Sequence, residues 1–138
     1  ELIDLDAQAY GALDAARKVP AAAAGQEKTQ ARGVAECREQ ATRVPEETLG
    51  ASREGLSVCR RLADICNKKL APDLLVSACL LEAAAQGAWA QILANLEGLP
   101  SGTERCGGAT AQLKECQALK AAIEKKVLAS LDLRGVTA

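Results

Sequence analysis

Apolar positions recur at helical spacing along nearly the whole chain, and five segments can be marked out by that period. Leu2, Leu5, Ala9, Ala12, Leu13 and Ala16 fall on one face of a first segment, Leu2 to Lys18, closed by Pro20. A small-residue linker, "PAAAAGQ", follows. A second segment runs from about Glu27 to Arg43, where Pro45 is expected to interrupt or restart the helix. Pro45-Glu46-Glu47 makes a good first turn, with a proline at the first position and acids at the positive end. The third segment continues to Cys66, with Leu49, Leu56, Cys59, Leu62, Ala63 and Cys66 as its inner stripe. "NKKLAPD" reads as a turn. A fourth helix then begins at Pro72-Asp73 and ends near "EGLPSG", and a fifth runs from about Thr103 to Leu131, its start delayed by "CGG".

The fourth segment differs from the rest. It is uncharged for the 14 residues between Glu82 and Glu97, and apolar nearly all round, so it is expected at the centre of a bundle. At about 100° per residue, Asp73, Ser77, Leu80, Ala84, Gly87, Ala88, Gln91 and Asn95 share one side, which is taken to face inward. Its ends are polar and its middle is small. On one reading the small residues admit a neighbouring helix, Gln91 and Asn95 bond its backbone or each other, and Asp73 satisfies free amides at the helix start. On the other, the small residues floor a groove in which the amides recognise a flat polar ligand. Asp73 and Asn95 are about 33 Å apart on an ideal helix, so one small ligand cannot touch both.

Composition supports helices and little else. Alanine dominates, aromatics are 1% of the chain, and the residues strands favour are scarce. The 138 residues suit a single all-α domain. Seventeen basic against eighteen acidic residues, with no basic run, argue against nucleic acid or an anionic membrane as partner. The uncharged stretch is shorter than the roughly 20 residues of a membrane span, and the acidic start is unlike a signal peptide; a cytoplasmic location is expected. Six cysteines without a CxxC pair, in a chain without His, point to free thiols, Cys79 among the buried ones. No metal site is expected, and no Ser/His/Asp triad or His-activated thiol can form. Lys68-Lys69, in the turn before Asp73, is read as a solvated pair able to receive an anionic group.

From Pro45 to Leu96 the chain resembles the cyclodeaminase/cyclohydrolase family, which includes the C-terminal domain of formiminotransferase-cyclodeaminase. The matching residues are Val44-Pro45, the "CN" ending at Asn67, Asp73 six residues later, and "GAWAQILANL"; upstream, "DAQAYGALDAARKVP" resembles a family helix that ends in Pro. Gln91 stands where the family has Asn, Pro72 where Ser usually precedes the Asp, and Gln30 where it carries an Arg. The family's first helices and its glycine-rich segment have no counterpart here, so the domain is expected to be short at its N-terminal side. The resemblance implies a helical homodimer, or higher homo-oligomer, that binds a tetrahydrofolate derivative in a groove. It closes 5-formiminotetrahydrofolate to 5,10-methenyltetrahydrofolate with release of ammonia, or hydrolyses the methenyl compound. By the same resemblance Asp73 is the expected catalytic acid–base residue, and Asn67, Gly87, Ala88, Gln91 and Asn95 are expected to line the folate site. The rival expectation is a non-catalytic helical module of the same fold, binding a small molecule or a partner only.

Overall fold

The computed structural model describes residues 2–18, 26–97 and 99–131. They form four α-helices: α1 (Leu2–Lys18), α2 (Gln26–Ile65), α3 (Ala71–Leu96) and α4 (Gly102–Ser130). No strand occurs among them. A single 3-10 turn, Lys68–Leu70, lies inside the expected "NKKLAPD" turn. The linker expected from Pro20 falls, up to residue 25, outside the described residues.

The helix count differs from five for one reason: α2 does not break at Pro45. It continues for 40 residues, and the proline ring is among the most deeply buried side chains of the molecule. Tertiary packing here outweighs the local tendency of proline to end a helix. The "CGG" run likewise lies inside α4, which starts at Gly102.

The core sits where α2, α3 and α4 meet. Leu49 and Leu56 of α2, Ile92 and Leu96 of α3, and Cys116, Ile123 and Val127 of α4 are all at most 2% exposed. Full burial of each large aliphatic is worth roughly 1.5–3 kcal/mol. Ala78 and Ala85 of α3 are fully buried, so its partners approach over a surface without long side chains. α1 packs on α2 alone to any extent, through Leu13, while Leu2 and Leu5 at its start stay exposed. Leu62, assigned to the inner stripe of the third segment, is exposed too. Ala63 and Cys66 of the same stripe stay half-buried against the core.

The largest correction concerns the inner face of α3. The expected stripe of positions 73, 77, 80, 84, 87, 88, 91 and 95 is, apart from 88, the true one displaced by a single residue, a rotation of about 100°. The packed face runs through Leu74, Ala78, Leu81, Ala85, Ala88, Ile92 and Leu96, with Leu75, Glu82, Trp89, Leu93 and Asn95 half-buried beside it. Of the expected stripe, only Ala88 is buried and only Asn95 half-buried. Asp73, Ser77, Leu80, Ala84, Gly87 and Gln91 face outward, as does Cys79, which was expected inside. A helix apolar on every side offers no strong pattern to choose between faces, and the larger aliphatics Leu74, Ile92 and Leu96 set the choice. α3 is flanked by α2 and α4 and has one open side; it is not enclosed. No helix among the described residues is long and apolar enough to cross a membrane.

Candidate functional site

Asn67 and Asp73 lie at the same end of the bundle, where α2 has finished and α3 begins. Asn67 is extended (φ −63°, ψ 137°), and its side-chain Oδ1 accepts the Lys69 backbone N–H at 3.0 Å, capping the 3-10 turn. The residue is otherwise exposed. Asp73 occupies the first turn of α3, just after Pro72, where the helix dipole favours a negative charge. The side chain of Leu70 before it makes no cap. The Asp73 backbone carbonyl accepts the Ser77 hydroxyl at 2.9 Å. Its exposed carboxylate meets no donor among the described residues.

Beyond Asp73 the open side of α3 carries Val76, Leu80, Ala83, Ala84, Gly87, Ala90, Gln91 and Ala94, all exposed. Val76 and Leu80 leave 59% and 67% of their surface uncovered, an unusual pair to leave in water on so apolar a helix. A Cβ built on Gly87 would meet nothing within 4 Å, so this glycine serves no close helix crossing within one chain. Gln91 is exposed. Asn95 is half-buried and turned the other way: its Nδ2 donates to the Ala41 carbonyl of α2 at 3.2 Å. The structure therefore brings Asn67 and Asp73 to one end, puts Gly87 and Gln91 on the open face further along the helix, and gives Ala88 and Asn95 to the packing with neighbouring helices.

Cavities among the described residues lie elsewhere, three of them at the surface of the bundle. One of about 220 Å³ sits at the α2–α4 junction, with Leu49 and Ile92 as its floor and Glu46, Arg105 and Gln112 as its polar wall. A second, of about 390 Å³, runs between α1 and α2 beside Gln40, Arg43 and Glu47. A third, of about 430 Å³, lies over Leu119 beside Arg53 and Ser57. None of the three is lined by Asn67, Asp73, Gly87, Ala88, Gln91 or Asn95.

Sequence reasoning missed the polar cluster beside the first cavity. The Arg105 guanidinium of α4 pairs with Glu46 at 3.0 Å and with Glu39, both on α2. Burial works against its charge, but the hydrogen bonds to Glu39 and Glu46 outweigh that and hold its pKa above the ordinary value. Arg38 adds a second tie, donating to the Glu97 carbonyl at the end of α3. Glu46 and Arg105 are 59 residues apart, and no local signal links them. Both carboxylates are already committed to a guanidinium, so the cluster acts as a clasp between helices.

The sequence pattern of the formiminotransferase-cyclodeaminase family matches residues 1–105. Among solved structures, formiminotetrahydrofolate cyclodeaminase from Thermotoga maritima superposes with a TM-score of 0.70 at 23% identity. The match covers 99% of this chain and 63% of that one, so the chain spans less than two thirds of its structural relative. No curated protein sequence matches it. The all-helical fold and the pattern shared over 105 of 138 residues carry the same conclusion: the chain belongs to the formiminotransferase-cyclodeaminase family.

Proposed function

We propose that the open side of α3 is the floor of a folate site and that Asp73 manages the protons of a cyclodeaminase or cyclohydrolase reaction there. The observation that carries this reading is the Asp73 carboxylate, unengaged among the described residues and standing, within the family-matched region, at the head of an open face that carries mainly small residues beyond Val76 and Leu80. A flat pterin ring needs such a face, because long side chains would lift it away from the helix. In the cyclodeaminase direction N10 of 5-formiminotetrahydrofolate adds to the formimino carbon and forms the new C–N bond. The N10 proton and one further proton from solvent pass to the exocyclic nitrogen, whose bond to that carbon breaks as ammonia leaves and the methenyl cation forms. The product is 5,10-methenyltetrahydrofolate. A carboxylate that accepts the N10 proton and returns it to the leaving nitrogen serves both steps, typically worth about 100-fold or more. In the cyclohydrolase direction the same group would activate water against the methenyl carbon.

Asn67 is the recognising amide beside Asp73 in this reading, and Gly87 keeps the floor low further along; Gln91, about 27 Å from Asp73 on the helix, meets the same ligand only from a second copy. One chain offers a floor without walls. A second copy laid across α3 would supply them, so the reading includes a homodimer in a cytoplasmic setting.

Asp73→Asn is the direct test. Asn caps a helix start as well as Asp, so the melting temperature should barely move, a change of about 1 kcal/mol or less. Turnover of formimino- or methenyltetrahydrofolate should fall by about 100-fold, with folate binding largely kept. Equal turnover in both proteins removes Asp73 from the chemistry. If the wild type neither binds nor turns over a reduced folate, the chain is a helical module that uses this face for assembly alone.

A further inference from the structure

Proline at position 45 has no N–H, so the carbonyl four residues earlier in α2, that of Ala41, lacks its helical donor. Ala41 is 6% exposed, which keeps bulk water from replacing that donor freely. The side chain that reaches the orphaned oxygen comes from another helix: Asn95 Nδ2 stands 3.2 Å from it. Nearby carbonyls of α2 do not need such help. Those of Arg38 and Val44 accept hydroxyls from Thr42 and Thr48, at 2.7 and 2.9 Å, in addition to the amides a regular helix gives them. We propose that Asn95 supplies the hydrogen bond that Pro45 deletes, and that it is a positioning residue which holds the Gln91–Asn95 turn of α3 against α2 and touches no ligand.

Two consequences distinguish this role from that of a substrate amide. The worth of Asn95 must depend on the identity of residue 45, since an alanine at that position brings its own N–H to the Ala41 carbonyl. Gln91, one turn earlier and exposed, is then the free amide of this part of α3. That last clause rests on the folate reading; the link between Asn95 and Pro45 does not.

The experiment uses five proteins: wild type, Asn95→Ala, Pro45→Ala, the double variant, and Asn95→Asp, which keeps the shape of Asn95 but removes the donor. Thermal melts are followed by circular dichroism, and 5-formyltetrahydrofolate is the binding probe. Asn95→Ala and Asn95→Asp should each lower Tm by about 5 °C when Pro45 is present, whereas Asn95→Ala should cost about 2 °C or less in the Pro45→Ala background. Any folate affinity lost in Asn95→Ala should return in the double variant. Equal losses in both backgrounds, or a wild-type Tm for Asn95→Asp, overturn the proposal. Affinity that stays lost in the double variant while Tm recovers also overturns it, because Asn95 would then contact the ligand. A wild type that binds no folate sinks the folate reading and leaves the melts to decide this one.

Discussion

Cys59 and Cys116 are buried in the core that α2, α3 and α4 share, and that burial pushes both thiols above the usual value of 9.0. Folded, they hold their protons at a pH where the unfolded chain has begun to lose them. Their contribution is therefore complete below about pH 9 and lost as pH rises through the folded pKa values, at up to about 1.4 kcal/mol per pH unit for each thiol. Urea titrations at pH 8 and pH 10 should show a loss of stability that Cys59→Ala/Cys116→Ala reduces; an unchanged pH dependence in that variant would refute the assignment. The cysteines were legible as free thiols from their spacing and the lack of His, and all six are unbonded. Which of them are buried was not legible, because Cys79 lies on the helix whose face the pattern could not fix. Asn95 shows the same gap: its spacing in the sequence points to an amide, but only the fold reveals that a proline 50 residues earlier uses it.

Helices, as elements, were readable from the 3.6-residue period, and their ends were mostly placed within a few residues. The exception at Pro45 arose because its context is tertiary: a buried ring and a donor from α3. The α3–α4 connection is a second place where packing leaves little freedom. A Cβ at Gly102 would lie 2.7 Å from the Leu96 backbone carbonyl oxygen, which cannot swing aside as a side chain would. Gly102→Ala should therefore cost about 1–3 kcal/mol, despite the better helix propensity of alanine. At Gly55 a Cβ would meet only the ends of Leu81, at 3.0 Å, and these can rotate. Gly55→Ala should thus be milder. Chemical denaturation of the two variants checks the order, and a Gly102→Ala protein as stable as wild type would show that the turn relaxes.

For the molecule as a whole, the outward face of α3 is one of the apolar surfaces left uncovered among the described residues, beside the start of α1 with Leu2, Ile3 and Leu5. Val76 and Leu80 stand exposed among alanines and Gly87, a run of apolar side chains of the kind that marks contacts. A two-fold contact through this face brings the same strip to itself and leaves no open end. Light scattering at micromolar concentration should report a dimer, and Leu80→Glu should weaken it by about tenfold or more by setting two carboxylates near the axis. A wild type that remains monomeric would remove the second copy as a wall of the proposed folate site. The family and the all-helical class were readable from the residues because the matched motif is contiguous. The orientation of the site was not, since it depends on which side of α3 its neighbours cover.

Trp89 lends the chain an optical handle. It is the sole tryptophan, and its indole Nε1 donates to the Thr110 hydroxyl at 3.1 Å across the α3–α4 interface. The sole tyrosine, Tyr10, stands exposed on α1, a helix that packs on α2. Emission from the indole therefore reports the seam between α3 and α4 without interference from any other ring of its kind. Emission from the phenol reads α1. Two natural chromophores thus divide the fold between them, and an unlabelled sample suffices to ask whether its two ends melt together.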